Sequence, residues 1–373
     1  MKVIIDNKIP YIKGVLEPYA EVIYLSGDLT TPEVVKDADA LITRTRTNCN
    51  AQLLKGSDVK FIATATIGYD HIDTTFCEQN GIFWTNAPGC NSKSVEQYIA
   101  SALMILAENK HFLLKEKTIG IIGVGNVGSK VARLCETLGM KVLLNDPPRV
   151  RAEGRKGFVD LKEILEQSDI ISLHVPLNLE GPDKTYHLAN DYFFHNTKRN
   201  PIIINSCRGE VTDTNSLKEA LKSKLISGAV IDCWENEPEL DLELLNLVDL
   251  GTPHIAGYSR DGKANGTEMS IRALSKFFNL GINNWKCTGV ELPESVDIFI
   301  DGTGKTTQQI LFEAITATYD IRNDDLKLRN SVETFEKQRG DYPVRREFPT
   351  FQVYCKINNI KAIHKLNQLG FKL

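Results

Sequence analysis

The amino-acid sequence predicts an α/β protein: two doubly wound parallel-sheet domains followed by a C-terminal α+β domain. Three observations carry that expectation. Short β-branched apolar runs alternate with helix-like segments from the N-terminus to about residue 252. A glycine-rich turn, Gly123-Val124-Gly125-Asn126-Val127-Gly128, joins one of those runs to an amphipathic helix. From about residue 284 the alternation stops, and Tyr, Phe, Asp and Arg occur in mixed strand and helix patterns.

In the first part, Lys2–Asp6, Ala40–Thr43 and residues 60–64 read as strands separated by helix-like segments and Gly/Asp turns. The breaker Pro88-Gly89-Cys90-Asn91 follows. Residues 94–109 then place Val95, Tyr98, Ile99, Ala102, Leu103 and Leu106 at helical spacing, as a connecting helix into the second domain would. Residues 119–122, Lys141–Asn145, 170–174, Ile202–Asn205 and 229–232 are short and apolar throughout, which suits strands buried on both faces. Near Gly257 the chain is expected to cross back to the first domain through a helix from about 264 to 280. The expected division is 1–93 with 256–283, then 94–255, then 284–373.

Bulk properties narrow the function classes. A chain of 373 residues allows two or three domains, and 42% hydrophobic residues suffice for a sizeable core. With 44 basic and 48 acidic residues the net charge is -4, and no long like-charge run occurs, so a nucleic-acid partner is not expected. Asp6 interrupts the first apolar run, so no secretory signal is expected, and no run approaches the roughly 18 apolar residues of a membrane span. The 8 cysteines show no ligand-like spacing. They read as reduced thiols of a cytoplasmic protein without a metal centre. The segment Asp301-Gly302-Thr303-Gly304-Lys305-Thr306 imitates a phosphate loop, but Phe299 stands where that motif needs glycine and the preceding strand signal is poor. It reads as a turn.

The stronger phosphate signal is the glycine turn at 123–128, set between an apolar strand and a helix carrying Val131, Ala132, Leu134 and Leu138. A second strand follows and ends at Asp146. This is the arrangement of a Rossmann-like dinucleotide site: Gly123 for the tight turn, Gly125 for backbone approach to the pyrophosphate, Gly128 for helix packing. Asp146 suits the adenosine ribose and repels a 2′-phosphate, so NAD is expected. Arg149 and Arg151 argue the other way, since arginine can hold that phosphate.

Three later stretches sit at the carboxyl ends of expected strands, where ligands bind in open α/β sheets. They are 205–210 with Arg208, 232–238 with Glu237, and 252–258 with His254. Taking a hydride from a 2-hydroxy acid needs a cation for the carboxylate, a base for the hydroxyl proton and a group that orients the base. Arg208, His254 and Glu237 supply these in that order.

Asn205, Arg208, Gly209, Glu237-Pro238 and Pro253-His254-Ile255-Ala256-Gly257 resemble the pattern of the D-2-hydroxyacid dehydrogenases. Residues 63–73, 87–91, 146–149, 234–240, 254–259 and 319–325 are similar to the branch that oxidises 4-phospho-D-erythronate with NAD on the route to vitamin B6. The resemblance covers nearly the whole chain, the C-terminal part included. It implies that Thr45, Thr66 and Tyr258 touch substrate. It also implies that Asp146, Asp232 and Gly257, with the backbone at Asn126, Val127, Ser206, Cys207 and Arg208, contact NAD. A homodimer formed through the C-terminal domain is implied as well. Thr45 and Ala63 depart from the Ser and Gly of the pattern, and Val175 lacks its hydroxyl.

A phosphorylated substrate needs a cationic receptor. Arg44 and Arg46, flanking Thr45 just after the strand Ala40–Thr43, are the expected core of one. Two other readings share these features. One is a dehydrogenase of another 2-hydroxy acid, of 3-phosphoglycerate or glycerate type; the other is a protein that binds NAD as a sensor without turnover.

Overall fold

Five parallel strands form the sheet of the N-terminal unit: β1 (Lys2–Asp6), β2 (Glu21–Leu25), β3 (Ala40–Thr43), β4 (Phe61–Thr64) and β5 (Phe83–Thr85). Their order is β2-β1-β3-β4-β5. The central strands β3 and β4 are buried at every position. The edge strands are not, which is why β2 and β5 escape a search for continuous apolar runs. The computed structural model describes residues 1–356 and 359–373. It divides into two compact units, Met1–Asn91 with Ser259–Glu291 and Ser92–Tyr258 with Leu292–Leu373.

The first unit is closed by the helix Arg260–Phe278, which starts where Ser259 accepts a hydrogen bond from the Gly262 amide at 2.8 Å. Ile271 and Leu274 of this helix pack with Val3, Ile5, Ile42 and Phe61. At Gly266 a Cβ would come within 2.6 Å of the Ala65 carbonyl oxygen, so glycine allows the helix to lie against the end of β4.

The second unit carries a six-stranded parallel sheet: β6 (Thr118–Ile122), β7 (Lys141–Asn145), β8 (Ile170–Leu173), β9 (Ile202–Asn205), β10 (Gly228–Ile231) and β11 (Leu250–Gly251). The order β11-β10-β9-β8-β6-β7 reverses between β6 and β8, the switch point at which such sheets bind ligands. Strands β6, β8, β9 and β10 are buried throughout, as their unbroken apolar runs require. The connecting helix is Ser92–Asn109, and its Tyr98, Leu103 and Leu106 join the main core.

In the same unit, β12 (Asp297–Asp301) and β13 (Gln352–Lys356) form a small parallel sheet. The accompanying helix Thr307–Thr318 contributes Ile310, Leu311, Ala314 and Ile315 to the core that Ser92–Asn109 also builds. The turn at 301–306 does follow a strand and precede a helix, contrary to the poor strand signal read from sequence. The strand was hidden because it alternates buried and exposed residues. Thr306 caps the helix in a reciprocal bond pair with Gln309, and Phe299 is 77% exposed. Among the described residues, no helix is long and apolar enough to cross a membrane.

Candidate active site

The glycine turn after β6 is closed at its ends and open in its middle. Gly123 has φ +87°, and a Cβ there would stand 2.4 Å from the His174 carbonyl oxygen. A Cβ on Gly128 would stand 1.9 Å from the Gly123 carbonyl oxygen, while one on Gly125 would meet nothing within 4 Å. Bare backbone at Gly125 therefore borders open space beside the start of the helix Gly128–Leu138, whose first amides lack helical partners.

Asp146, at the end of β7, is fixed beside this turn. One carboxylate oxygen accepts from the Val124 amide at 2.8 Å and the other from the Arg149 amide at 3.0 Å. Each oxygen keeps acceptor capacity for a ribose hydroxyl. The two arginines that argued for NADP are committed elsewhere. Arg149 donates to the Val124 carbonyl at 2.8 Å and to Glu153 at 2.8 and 2.6 Å, and Arg151 pairs with Asp183. The Ser206 hydroxyl is buried and meets no partner among the described residues. These residues fit a nicotinamide dinucleotide without a 2′-phosphate.

The chemistry-bearing loops follow β9, β10 and β11. After β9, the Asn205 side chain folds its own loop, accepting from the Cys207 amide at 3.1 Å and donating to the Arg208 carbonyl at 2.9 Å. Arg208 is half-buried, with Nη1 on the Cys207 carbonyl at 2.7 Å. A Cβ on the next residue, Gly209, would lie 2.0 Å from the Trp234 carbonyl oxygen. Only glycine lets this loop press onto the one that carries Glu237.

Asp232, 1% exposed, organises the loop after β11. Its carboxylate accepts from the Thr252 hydroxyl (2.6 Å), the Ile255 amide (2.8 Å) and the Ala256 amide (2.9 Å). Burial pushes its carboxyl above the usual range, against the pull of His254 and these donors. The Asp232 carbonyl accepts from the His254 amide at 2.8 Å, which helps hold His254 at φ +53°, a conformation costing roughly 1–2 kcal/mol. So held, the imidazole Nδ1 lies 2.7 Å from a Glu237 oxygen, and the other Glu237 oxygen accepts from the Trp234 amide at 2.8 Å. Burial alone would raise the Glu237 carboxyl, but the bond to His254, its charge and the Trp234 amide together bring it below the usual range. An ionised carboxylate only accepts, so the proton of neutral His254 sits on Nδ1 and the Nε2 lone pair is free to take another.

Cys233, Glu237 and His254 offer atoms within 4.8 Å of one another. Burial drives the Cys233 thiol upward, and it also feels Asp232, Glu237, Cys207 and Arg208. The three catalytic candidates thus come into one neighbourhood. A second group of potential metal ligands, His187, Asp213 and Glu235, also lies within 4.8 Å. In both groups the imidazole and a carboxylate already bond to each other, at 2.7 and 2.6 Å.

In the other unit, Thr45 and Arg46 are exposed just beyond β3 and Arg44 is half-buried. Thr66 donates to the Gly68 carbonyl at 2.8 Å and lies 2.7 Å from the Thr64 hydroxyl. The two arginines face different neighbours. Arg46 acts on Asp28. Arg44 acts, with Arg260, on the Lys263 ammonium, which burial first and these cations second push down to about 8. Sequence reading missed Arg260 and Lys263, because nothing local to residues 40–47 points to a helix more than two hundred positions later. Tyr258, in the second unit, is half-buried beside the C-terminal segment.

Residues 97–256 match the family described as D-isomer specific 2-hydroxyacid dehydrogenase, NAD binding domain, and residues 292–370 match a domain of unknown function. Over 354 residues the chain is 54% identical to an erythronate-4-phosphate dehydrogenase of Bacteroides fragilis, covering 95% of this chain and 99% of that protein. This chain belongs to the erythronate-4-phosphate dehydrogenase family. An erythronate-4-phosphate dehydrogenase of Escherichia coli O157:H7 is 40% identical over 374 residues, covering 100% of this chain and 98% of the relative. Among solved structures, D-lactate dehydrogenase of Aquifex aeolicus with NAD and lactic acid superposes with a TM-score of 0.61 at 25% identity, covering 78% of this chain and 100% of that one. The NAD-bound 3-phosphoglycerate dehydrogenase of Entamoeba histolytica gives 0.64 at 25% identity, covering 78% and 99%. As a member of the erythronate-4-phosphate dehydrogenase family, the chain is an NAD-dependent 2-hydroxyacid dehydrogenase.

Proposed function

We propose that this dehydrogenase oxidises 4-phospho-D-erythronate to 2-oxo-3-hydroxy-4-phosphobutanoate, a step of vitamin B6 synthesis, as a cytoplasmic homodimer. The observation that carries the reading is the 2.7 Å bond between His254 Nδ1 and Glu237, within a chain 54% identical to a protein named for that reaction. Bound NAD accepts the hydride from C2. Arg208 holds the substrate carboxylate through its planar fork. His254 Nε2 takes the proton of the 2-hydroxyl, and the Glu237 carboxylate steadies the imidazolium that results.

Around these, Gly123, Gly125, Asn126, Val127 and Gly128 cradle the pyrophosphate, and Asp146 takes the adenosine ribose. Ser206, Cys207, Asp232 and Gly257 flank the nicotinamide end. Thr45, Thr66 and Tyr258 touch substrate. Arg44 is the better supported half of the phosphate receptor, because Lys263 and Arg260 share its surroundings and three cations crowded together favour an anion. Dimerisation through residues 284–373 is supported by an exposed aromatic stack, in which the rings of Phe299 (77% exposed) and Tyr354 (48%) stand 5.0 Å apart.

A substrate panel tests the reading. NADH formation is followed with 4-phosphoerythronate, erythronate, 3-phosphoglycerate and glycerate. The highest kcat/KM is expected for 4-phosphoerythronate. Faster turnover of 3-phosphoglycerate, or NAD binding with no turnover of any acid, would overturn it.

A further inference from the structure

The loop that carries His254 and Tyr258 is held on one side by Asp232 and on the other by the C-terminal segment of the same unit. Asp325 accepts from the Gly251 amide at 2.7 Å, just before this loop begins. Arg345, 4% exposed, lays its guanidinium 3.9 Å from the Tyr319 ring centroid. It donates to Gln97 at 2.9 Å and to the Ile255 carbonyl at 3.3 Å. Tyr342 meets the Tyr258 ring edge-on at 5.8 Å.

Arg339, on the helix Phe335–Gly340, sits nearest the chemistry. Its guanidinium lies 5.8 Å from the Tyr258 ring centroid and 5.7 Å from that of Phe335. Nη1 donates to Glu336 at 2.6 Å, while Nε is buried and meets no hydrogen-bond partner among the described residues. Burial opposes a cation here. What compensates includes Glu237, since Arg339 and Glu237 each favour the charged form of the other. The guanidinium therefore stands within electrostatic reach of the carboxylate that orients His254.

We propose that the C-terminal segment completes the active site, with Arg339 as a positioning residue whose charge keeps the Glu237–His254 pair ready to accept the substrate proton. The inference rests on the dehydrogenase reading above. A fixed positive charge makes protonation of any nearby group less favourable, so it holds the pair in its basic form towards lower pH. The charged groups facing the pair are Asp232 from the end of β10, Arg208 from the loop after β9, and Arg339 with Glu336 from the C-terminal helix. Asp232 works against Arg339. Arg208 is neutralised once it grips the substrate carboxylate, which leaves Arg339 to set the balance during proton transfer.

The test uses the full chain carrying Arg339→Met, Arg339→Lys or Glu336→Gln. Two readouts are taken: kcat/KM for 4-phosphoerythronate against pH, and the NMR titration of the His254 imidazole. Arg339→Met, which keeps the packing on Tyr258, should move the acidic limb and the imidazole titration upward by about half a pH unit or more. Arg339→Lys should stay close to the parent. Glu336→Gln, an exposed change, should move both readouts downward. An unmoved limb and titration in Arg339→Met, or equal upward movement in the Met and Lys variants, would overturn the proposal. If Arg339→Met does not fold, Glu336→Gln decides alone, and an unmoved or upward shift there refutes the proposal. A parent without turnover on any acid would instead refute the dehydrogenase reading, and the imidazole titration would still report on Arg339.

Discussion

Replacing Glu237 by Gln swaps one carboxylate oxygen for an amide NH2 at nearly constant volume, and the site has no good place for that group. Glu237 accepts from two donors, the Trp234 amide at 2.8 Å and His254 Nδ1 at 2.7 Å. If the Gln oxygen keeps the Trp234 amide, its NH2 faces Nδ1. The imidazole must then accept there, its proton moves to Nε2, and no lone pair remains for the substrate hydroxyl. If the Gln turns over, its NH2 opposes the Trp234 N–H, and a buried donor is left unmatched. Losing one charge-assisted bond costs about 1.5–3 kcal/mol, roughly ten- to hundredfold in rate. The wrong tautomer adds the loss of a general base, about a hundredfold or more. A fall in kcat of about two to four orders of magnitude is expected, measured as NADH formation at saturating NAD and hydroxy acid. NAD affinity, read by fluorescence titration, should be unchanged. A Glu237→Gln enzyme with kcat within about threefold of the parent would refute this account of how His254 is oriented.

Further outcomes follow from the same geometry. Asp146→Ala removes the ribose acceptor and the charge that repels a 2′-phosphate, so the ratio of kcat/KM for NAD over NADP should fall roughly tenfold or more; an unchanged ratio would assign Asp146 to loop structure alone. Arg44→Ala should raise KM for 4-phosphoerythronate far more than for erythronate, with Arg46→Ala the milder change, because only Arg44 shares its surroundings with Lys263; equal losses on both acids would assign the arginines to folding. Glu237, held below the ordinary carboxylate range in the fold, contributes stability that is whole above the unfolded value of about 4.3 and is lost as pH falls through its lower folded value. Glu237→Gln should therefore flatten the acid-side decline of Tm below about pH 4, and a decline as steep as the parent's would contradict the shift. Phe299→Glu should give a monomer in sedimentation with the catalytic loop intact; a variant that stays dimeric would place the interface elsewhere.

How much of this was legible in the sequence depended on how local each cause is. The cradle at Gly123–Gly125–Gly128 and the acid at Asp146 are fixed by one strand, one turn and one helix, and the motif names them directly. Strands β8, β9 and β10 declared themselves because burial on both faces forces a continuous apolar run. Strand β2 did not, since Glu21-Val22-Ile23-Tyr24-Leu25 lies at a half-exposed edge. Strand β11, two residues long, has no periodicity to read. Gly209 was visible but mute: its glycine is demanded by the Trp234 carbonyl, a neighbour 25 positions on. Lys263 and Arg339 carry no local signal, and only the return of the chain brings them to Arg44 and Tyr258.

The C-terminal segment shows why a part named for unknown function resists being read as an appendage. Its outer sheet exposes the Phe299–Tyr354 stack, which suits association. Its inner side supplies Asp325 to Gly251, Arg345 to Ile255 and Tyr342 to Tyr258, so it supports the loop that holds His254. Ile310, Leu311, Ala314 and Ile315 also fill the core built by Ser92–Asn109. Exposing such residues would cost about 1.5–3 kcal/mol each, a sum that a fold of ordinary stability does not survive. Cutting the chain near Trp285 therefore removes core, loop support and association surface together. Loss of activity after such a cut says nothing about dimerisation, whereas a single exposed substitution on the outer sheet separates the two roles.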